Sequence, residues 1–233
     1  MLPQVDVFWA DLDAAASALP RWHEMLDSNE RARAARFRFE RDRIRYTACH
    51  GILRLLLSRY VDRPPAALRF NTIGNGKPVL SDGALNFNIS HSRHLALFAI
   101  SRDVTVGCDI EFHDERFLGE GIPEHFFSPA EQRELRAVPR ADRCAAFFAG
   151  WTRKEAFVKA RGLGLSLPLD SFDVSLAPSM RPALYRGCDG WSARCVEPAP
   201  DCSAAVIAEA AAWRMEARPL DALALLAEMC AAA

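Results

Sequence analysis

No stretch of this 233-residue chain is apolar for long enough to cross a bilayer, so no membrane span is expected. None of the seven cysteines falls in a Cys-x-x-Cys pair, which excludes the common zinc-ribbon and thioredoxin-type motifs. Their odd number speaks against a complete disulfide framework. Acids at Asp6, Asp11 and Asp13 stand where a secretory leader carries basic residues, so the expectation is a reduced, cytoplasmic protein. An excess of one charge is missing too: 29 Lys and Arg face 30 Asp and Glu, for a net charge of -1, which removes any global pull toward nucleic acid. Half of the composition (50%) is hydrophobic, enough for a substantial core in one large domain or two small ones.

What is present is local. Arg31, Arg33, Arg36, Arg38, Arg41, Arg43 and Arg45 crowd one segment, partly balanced by Glu30, Glu40 and Asp42. A solvated helix face explains such a run; an anion site for a multiply phosphorylated ligand explains it equally. Interleaved Phe37, Phe39 and Tyr46 leave open a nucleic-acid surface, against which the intervening acids weigh.

Periodicity predicts a strand at Val5–Ala10, a helix over 21–39, a second over 43–60 and strands at 68–70, 85–89 and 95–100. A strand over 104–111 follows. Ser128-Pro129-Ala130-Glu131 predicts a helix start with Ser as N-cap and Glu at the third position. A long helix over 143–161 ends at Gly162 and Gly164. Strands are expected at 172–176, 192–196, 204–207 and 213–217, and a short helix or frayed tail over 220–233. Two α+β halves, 1–102 and 103–233, would meet near Arg102-Asp103 and enclose a cleft.

Charge also appears where the pattern asks for core. In Val106-Gly107-Cys108-Asp109-Ile110-Glu111-Phe112, strand alternation puts Asp109 and Glu111 on one face. Phe148, Trp151, Glu155 and Val158 fall on one helical stripe, with Lys159 at i+4 from Glu155. An edge strand and a surface ion pair are the plain alternatives. Three acids converging on a partly buried spot require a positive partner, of which a divalent cation is the simplest. His91, after Asn86-Phe87-Asn88-Ile89-Ser90, is either a satisfied loop histidine or an imidazole presented to a phosphate.

Together these segments resemble the Sfp-type 4′-phosphopantetheinyl transferases. That pattern joins a hydrophobe-Gly-x-Asp-hydrophobe-Glu strand to Trp/Phe-small-x-Lys-Glu-small-x-x-Lys. Here Val106–Glu111 and Trp151-Thr152-Arg153-Lys154-Glu155-Ala156-Phe157-Val158-Lys159 match it. So do Gly76-Lys77-Pro78, Phe87–Ser92, Phe126-Phe127-Ser128 and the run from Gly162 to Phe172. The resemblance implies an α+β fold (an α/β pseudo-dimer) of two similar halves. Each half is a small, mostly antiparallel sheet packed with helices, and the site lies between them. It implies coenzyme A as co-substrate, Mg²⁺ or Mn²⁺, and an apo acyl or peptidyl carrier protein as acceptor. It further implies a monomer that binds neither nucleic acid nor membrane, with secondary metabolite biosynthesis as the setting. Asp109, Glu111 and Glu155 would hold the metal; Glu155, Lys159 and Asp109 would be catalytic. Coenzyme A would meet Arg31, Arg33, Arg45, Lys77, Ser90, His91, Lys154 and Lys159. A non-catalytic binding module of the same fold would lack a metal ligand or the base, and neither is missing.

Overall fold

Alternating apolar residues make Gln4–Asp11 a strand, β1, with Val5 and Val7 on one face and Phe8 and Ala10 buried as well. The computed structural model describes residues 1–119, 121–177 and 181–231. After β1 come helices α1 (Leu19–Met25), α2 (Ser28–Ala35) and α3 (Glu40–Val61), then strands β2 (Phe70–Ile73), β3 (Lys77–Leu80), β4 (Asn86–Ser92) and β5 (Leu95–Ser101). The rest comprises β6 (Val106–Phe112), α4 (Arg116–Gly119), α5 (Ile122–Phe126), α6 (Pro129–Ala137), α7 (Arg143–Arg161), β7 (Ser192–Val196), β8 (Cys202–Ala208), β9 (Arg214–Pro219) and α8 (Ala222–Ala231).

The first sheet has the order β4-β5-β1-β9 and the second β6-β8-β7, while β2 and β3 form a separate hairpin. Among the described residues, all strand pairings are antiparallel except β1 with β9. On one face of the first sheet, Phe8, Phe87 and Phe98 pack under Ile52, Leu53, Leu56 and Leu57 of α3. On its other face, Val5, Val7 and Leu97 meet Val106, Cys108, Ile110 and Val206 of the second sheet. The two sheets are therefore back to back, and α7 closes the far side with Ala156 and Phe157 against Ala205 and Ile207. Each fully buried Val, Leu, Ile or Phe among them is worth ~1.5–3 kcal/mol.

Several expectations change. The helix expected over 21–39 is two helices, because Asp27 caps α2: its side chain accepts from Glu30 N, and Glu30 reaches back to Asp27 N. The strand expected at 172–176 is reduced to one bridge, Val174 to Leu184. The strand at 68–70 shifts to Phe70–Ile73 and gains β3 as partner. The C-terminal segment is helical over Ala222–Ala231; its residues 232 and 233 lie outside the described residues. The chain also returns at its end: β9 lies beside β1, and Ala222, Leu225 and Leu226 enter the first half's core.

Candidate active site

Strand parity delivers the acids. Val106, Cys108 and Ile110 face the first sheet, so Asp109 and Glu111 face the side that α7 covers. Gly107 sets the approach: a Cβ there would lie 2.1 Å from the Ala156 carbonyl oxygen and 2.4 Å from the Ala160 nitrogen. With glycine, α7 settles against β6 and brings Glu155 and Lys159 over the carboxylates.

Asp109 is buried, 2% exposed. Its Oδ1 accepts from Lys159 Nζ at 2.6 Å and from Ser90 Oγ at 2.7 Å, and Lys159 also donates to Ser90 Oγ at 2.8 Å. Burial alone would lower the Lys159 pKa; the Asp109 carboxylate outweighs it and raises it. Glu111 accepts from Ser92 Oγ at 2.7 Å. Burial, only partly offset by Ser92 and reinforced by Asp109, pushes its pKa up to about 6. Glu155 is half-buried, and burial followed by the Asp109 charge raises its pKa as well. The three acids thus share one electrostatic neighbourhood with a single lysine.

Among the described residues, no three His, Cys, Asp or Glu side chains converge closely enough to form a ready-made metal cage. The donor set nonetheless fits a hard cation. Asp109 Oδ2 is buried without a hydrogen-bond partner, and both neighbouring carboxyls resist ionisation.

The expected basic residues divide. His91, at the exposed end of β4, has its pKa held down by burial of its surroundings, then by Lys159, His50 and Arg45. Ser90 is in the cluster. Arg45 forks onto Asp13. Arg31 donates to the carbonyls of His23 and Glu24 at the end of α1, and Arg33 lies over the Tyr46 ring at 5.6 Å. Lys77 lines the cleft, but its ammonium donates to the Val106 and Ala160 carbonyls at 3.0 and 2.9 Å. Lys154 is a correction: its side chain is 0% exposed, paired with Glu131 at 2.8 Å and bonded to the Leu169 and Phe172 carbonyls. One residue before Glu155 on a helix, it points about 100° away, into the packing beneath α7. It is not a ligand contact.

Sequence reasoning missed Ser92, Asn88 and His50. Asn88 Oδ1 accepts from Cys108 N at 2.9 Å and ties β4 to β6 across the two sheets. His50 Nδ1 lies 3.1 Å from Glu30 Oε1, and its ring stacks on Tyr46 with centroids 4.1 Å apart. Ser92 and Asn88 were legible as the polar partners in the quoted β4 run. His50 had no local signal, lying inside an apolar helical stretch.

Beside Glu155 and Lys159 opens a cavity of about 540 Å³ with apolar walls from Ile89, Phe126, Val158 and Leu167. A charged rim with an apolar chamber suits an elongated ligand that is phosphorylated at one end and less polar at the other.

Comparison with known proteins bears on both halves. A family model described as the 4′-phosphopantetheinyl transferase superfamily matches residues 105–207, and one described as 4′-phosphopantetheinyl transferase, N-terminal, matches 13–102. The chain is 35% identical over 215 residues to the 4′-phosphopantetheinyl transferase HetI of Nostoc sp. (strain PCC 7120), covering 91% of this chain and 90% of that protein. It is 33% identical over 157 residues to the 4′-phosphopantetheinyl transferase Sfp of Bacillus subtilis (strain 168), covering 67% and 69%. Over 167 residues it is 30% identical to the mouse (Mus musculus) L-aminoadipate-semialdehyde dehydrogenase-phosphopantetheinyl transferase, covering 66% of this chain and 53% of that protein.

Proposed function

The chain belongs to the 4′-phosphopantetheinyl transferase superfamily, and we propose that it moves the 4′-phosphopantetheine group of coenzyme A to a serine hydroxyl of an apo acyl or peptidyl carrier protein. The observation that carries this reading is the cluster of Asp109, Glu111, Glu155 and Lys159, of which Glu155 and Lys159 line a largely apolar cavity. In the reaction a bond forms between the serine oxygen and the phosphorus that bears pantetheine. The bond from that phosphorus to the bridging oxygen breaks, and 3′,5′-ADP departs.

Asp109, Glu111 and Glu155 are the residues to hold Mg²⁺ or Mn²⁺, and the unpartnered Asp109 Oδ2 supports this. Such an ion, when bound, neutralises pyrophosphate charge. Glu155 takes the serine proton, directly or through water; burial and the Asp109 charge raise its pKa, which strengthens it as a base. Lys159 sets its positive charge beside the leaving phosphate, and Asp109 fixes the lysine in place. His91 and Ser90 donate to phosphate oxygens from the end of β4. Arg45, with Arg31 and Arg33 earlier in the basic segment, faces the 3′-phosphate, and Gly76 and Lys77 line the chamber.

Residues 1–102 act as the N-terminal half and 103–233 as the half that brings the acids, a division supported by the adjoining ranges of the two family matches. No described helix is long and apolar enough to cross a membrane. The working form is a cytoplasmic monomer that modifies carriers of secondary metabolism and engages neither nucleic acid nor membrane.

The test is incubation with coenzyme A, Mg²⁺ and a panel of apo carrier domains. Intact mass should show one added phosphopantetheine on at least one carrier. A folded protein that leaves every carrier unmodified overturns the reading.

A further inference from the structure

Arg45 projects from the first turns of α3 and commits its whole fork to one carboxylate. Nε and Nη2 bond the two oxygens of Asp13 at 2.7 and 2.6 Å. Asp13 sits in the connection between β1 and α1, 53% exposed, while Arg45 is 17% exposed. The pair is therefore no buried strut: half of it is in water, where such pairs contribute little stability.

Its surroundings are mixed: Asp42 and Asp11 act on Arg45 besides Asp13, and basic groups lie nearby. His91 lies within electrostatic range of Arg45, His50 and Lys159. Asp13 in turn feels His94 and Arg41 besides Arg45. Glu30 engages the Nδ1 side of His50 and is itself fixed by Arg54, which is fully buried and also bonds Asp27. The Arg45 fork thus has one carboxylate seated in it. A guanidinium fork that fits two carboxylate oxygens fits two phosphate oxygens equally well.

We propose that Asp13 is a built-in competitor for the anion subsite: its carboxylate occupies the Arg45 fork in the free protein and is displaced when a ligand's phosphomonoester binds. This rests on the transferase reading, in which the ligand is coenzyme A and the phosphomonoester is its 3′-phosphate. Because one charge-assisted pair replaces another, the 3′-phosphate gains only the difference between them. Asp13 thereby sets how strongly the protein prefers coenzyme A over 3′-dephospho-coenzyme A.

Three measurements test this. Asp13→Asn keeps size and one acceptor but removes the charge. It should tighten 3′,5′-ADP binding by calorimetry roughly threefold to tenfold, the equivalent of a partly exposed ion pair. It should lower KM for coenzyme A by a like factor, with kcat and the KM for 3′-dephospho-coenzyme A unchanged. In an Arg45→Met background the same substitution should change nothing. Equal effects on both coenzymes, or no gain in 3′,5′-ADP affinity, overturn the proposal. Should Asp13→Asn fail to fold, the wild type suffices: by carbon NMR the Asp13 carboxyl must titrate at higher pH once 3′,5′-ADP is bound, and an unchanged titration overturns the proposal. A wild type that binds 3′,5′-ADP but modifies no carrier faults the transferase reading alone. One that transfers normally, with no Asp13 effect, faults this inference alone.

Discussion

At the scale of single residues, the site is a contest between one lysine and three carboxyls, and its charge state decides what it binds. Asp109→Asn keeps acceptors for Lys159 and Ser90 but removes the negative charge. Transfer should fall at least ~100-fold in kcat/KM, the scale on which fixed charges act at a reacting centre, while the melting temperature stays within a few degrees. Near-normal turnover would end the ligand role of Asp109. Glu111 gives a second handle. Burial puts its pKa at about 6 in the metal-free protein, above its ordinary 4.5. A cation needs the ionised form, so Mg²⁺ affinity should fall as pH drops through about 6, approaching tenfold per unit well below it. Calorimetric Mg²⁺ titrations between about pH 7.5 and 5 check this, and Glu111→Gln should weaken binding and flatten the dependence. Asp109 and Glu111 were legible in the sequence because strand parity is a two-residue rule that needs no tertiary knowledge. Lys154 was misread because adjacency to Glu155 in a motif says nothing of direction; its partner, Glu131, is remote in sequence and reaches it only through packing.

At the scale of elements, two contacts set how α7 is held, one against β6 and one against α6. Gly107 is the closest approach, and a methyl group there meets backbone, which cannot rotate away. Gly107→Ala should destabilise by about 3 kcal/mol or more, at or beyond the usual cost of overpacking. It should also lower activity by shifting Glu155 and Lys159 off β6; urea unfolding and turnover measure the two effects, and an unperturbed melt would show that α7 does not bear on this strand. Beneath α7, Lys154 and Glu131 are a sealed pair, with Glu131 also accepting from Ser128 N and Val174 N. Lys154→Met leaves that carboxylate buried and unpaired and should cost about 3–5 kcal/mol. Adding Glu131→Gln keeps the capping acceptor while removing the stranded charge, so the double variant should recover a large part of the loss. Additive costs in a double-mutant cycle would disprove the coupling. The Ser128 cap was legible because a capping box is a local signature, and it appears as expected. The same signature at Asp27 and Glu30 was present too, but the continuous arginine-rich pattern masked the break between α1 and α2.

At the scale of the whole molecule, the halves are joined by more than their shared sheet-to-sheet core. The parallel pairing of β9 with β1 sends the chain end back to the first half, a crossing that no local pattern announces. Sequence periodicity found the strand, but its partner is fixed by topology alone. Lys77, expected at the ligand, lines the cavity and also bridges the halves: from β3 its ammonium reaches the carbonyl of Val106 in β6 and that of Ala160 near the end of α7. Burial lowers its pKa from 10.5 to about 8. Below about pH 8 both folded and unfolded chains carry the proton, and the group adds no slope. Between 8 and 10.5 the unfolded chain binds more proton than the folded one, so this residue makes stability rise with pH across that window. The two carbonyl acceptors favour the cation and shrink the effect, leaving about 1–3 kcal/mol from the shift of a single group. The unfolding free energy of wild type minus that of Lys77→Met should therefore climb by that amount from pH 8 to 10.5 and stay level from 6 to 8. A difference that is flat throughout, or that falls, would mean the ammonium is solvated and the bridge between the halves is carried by the apolar core alone.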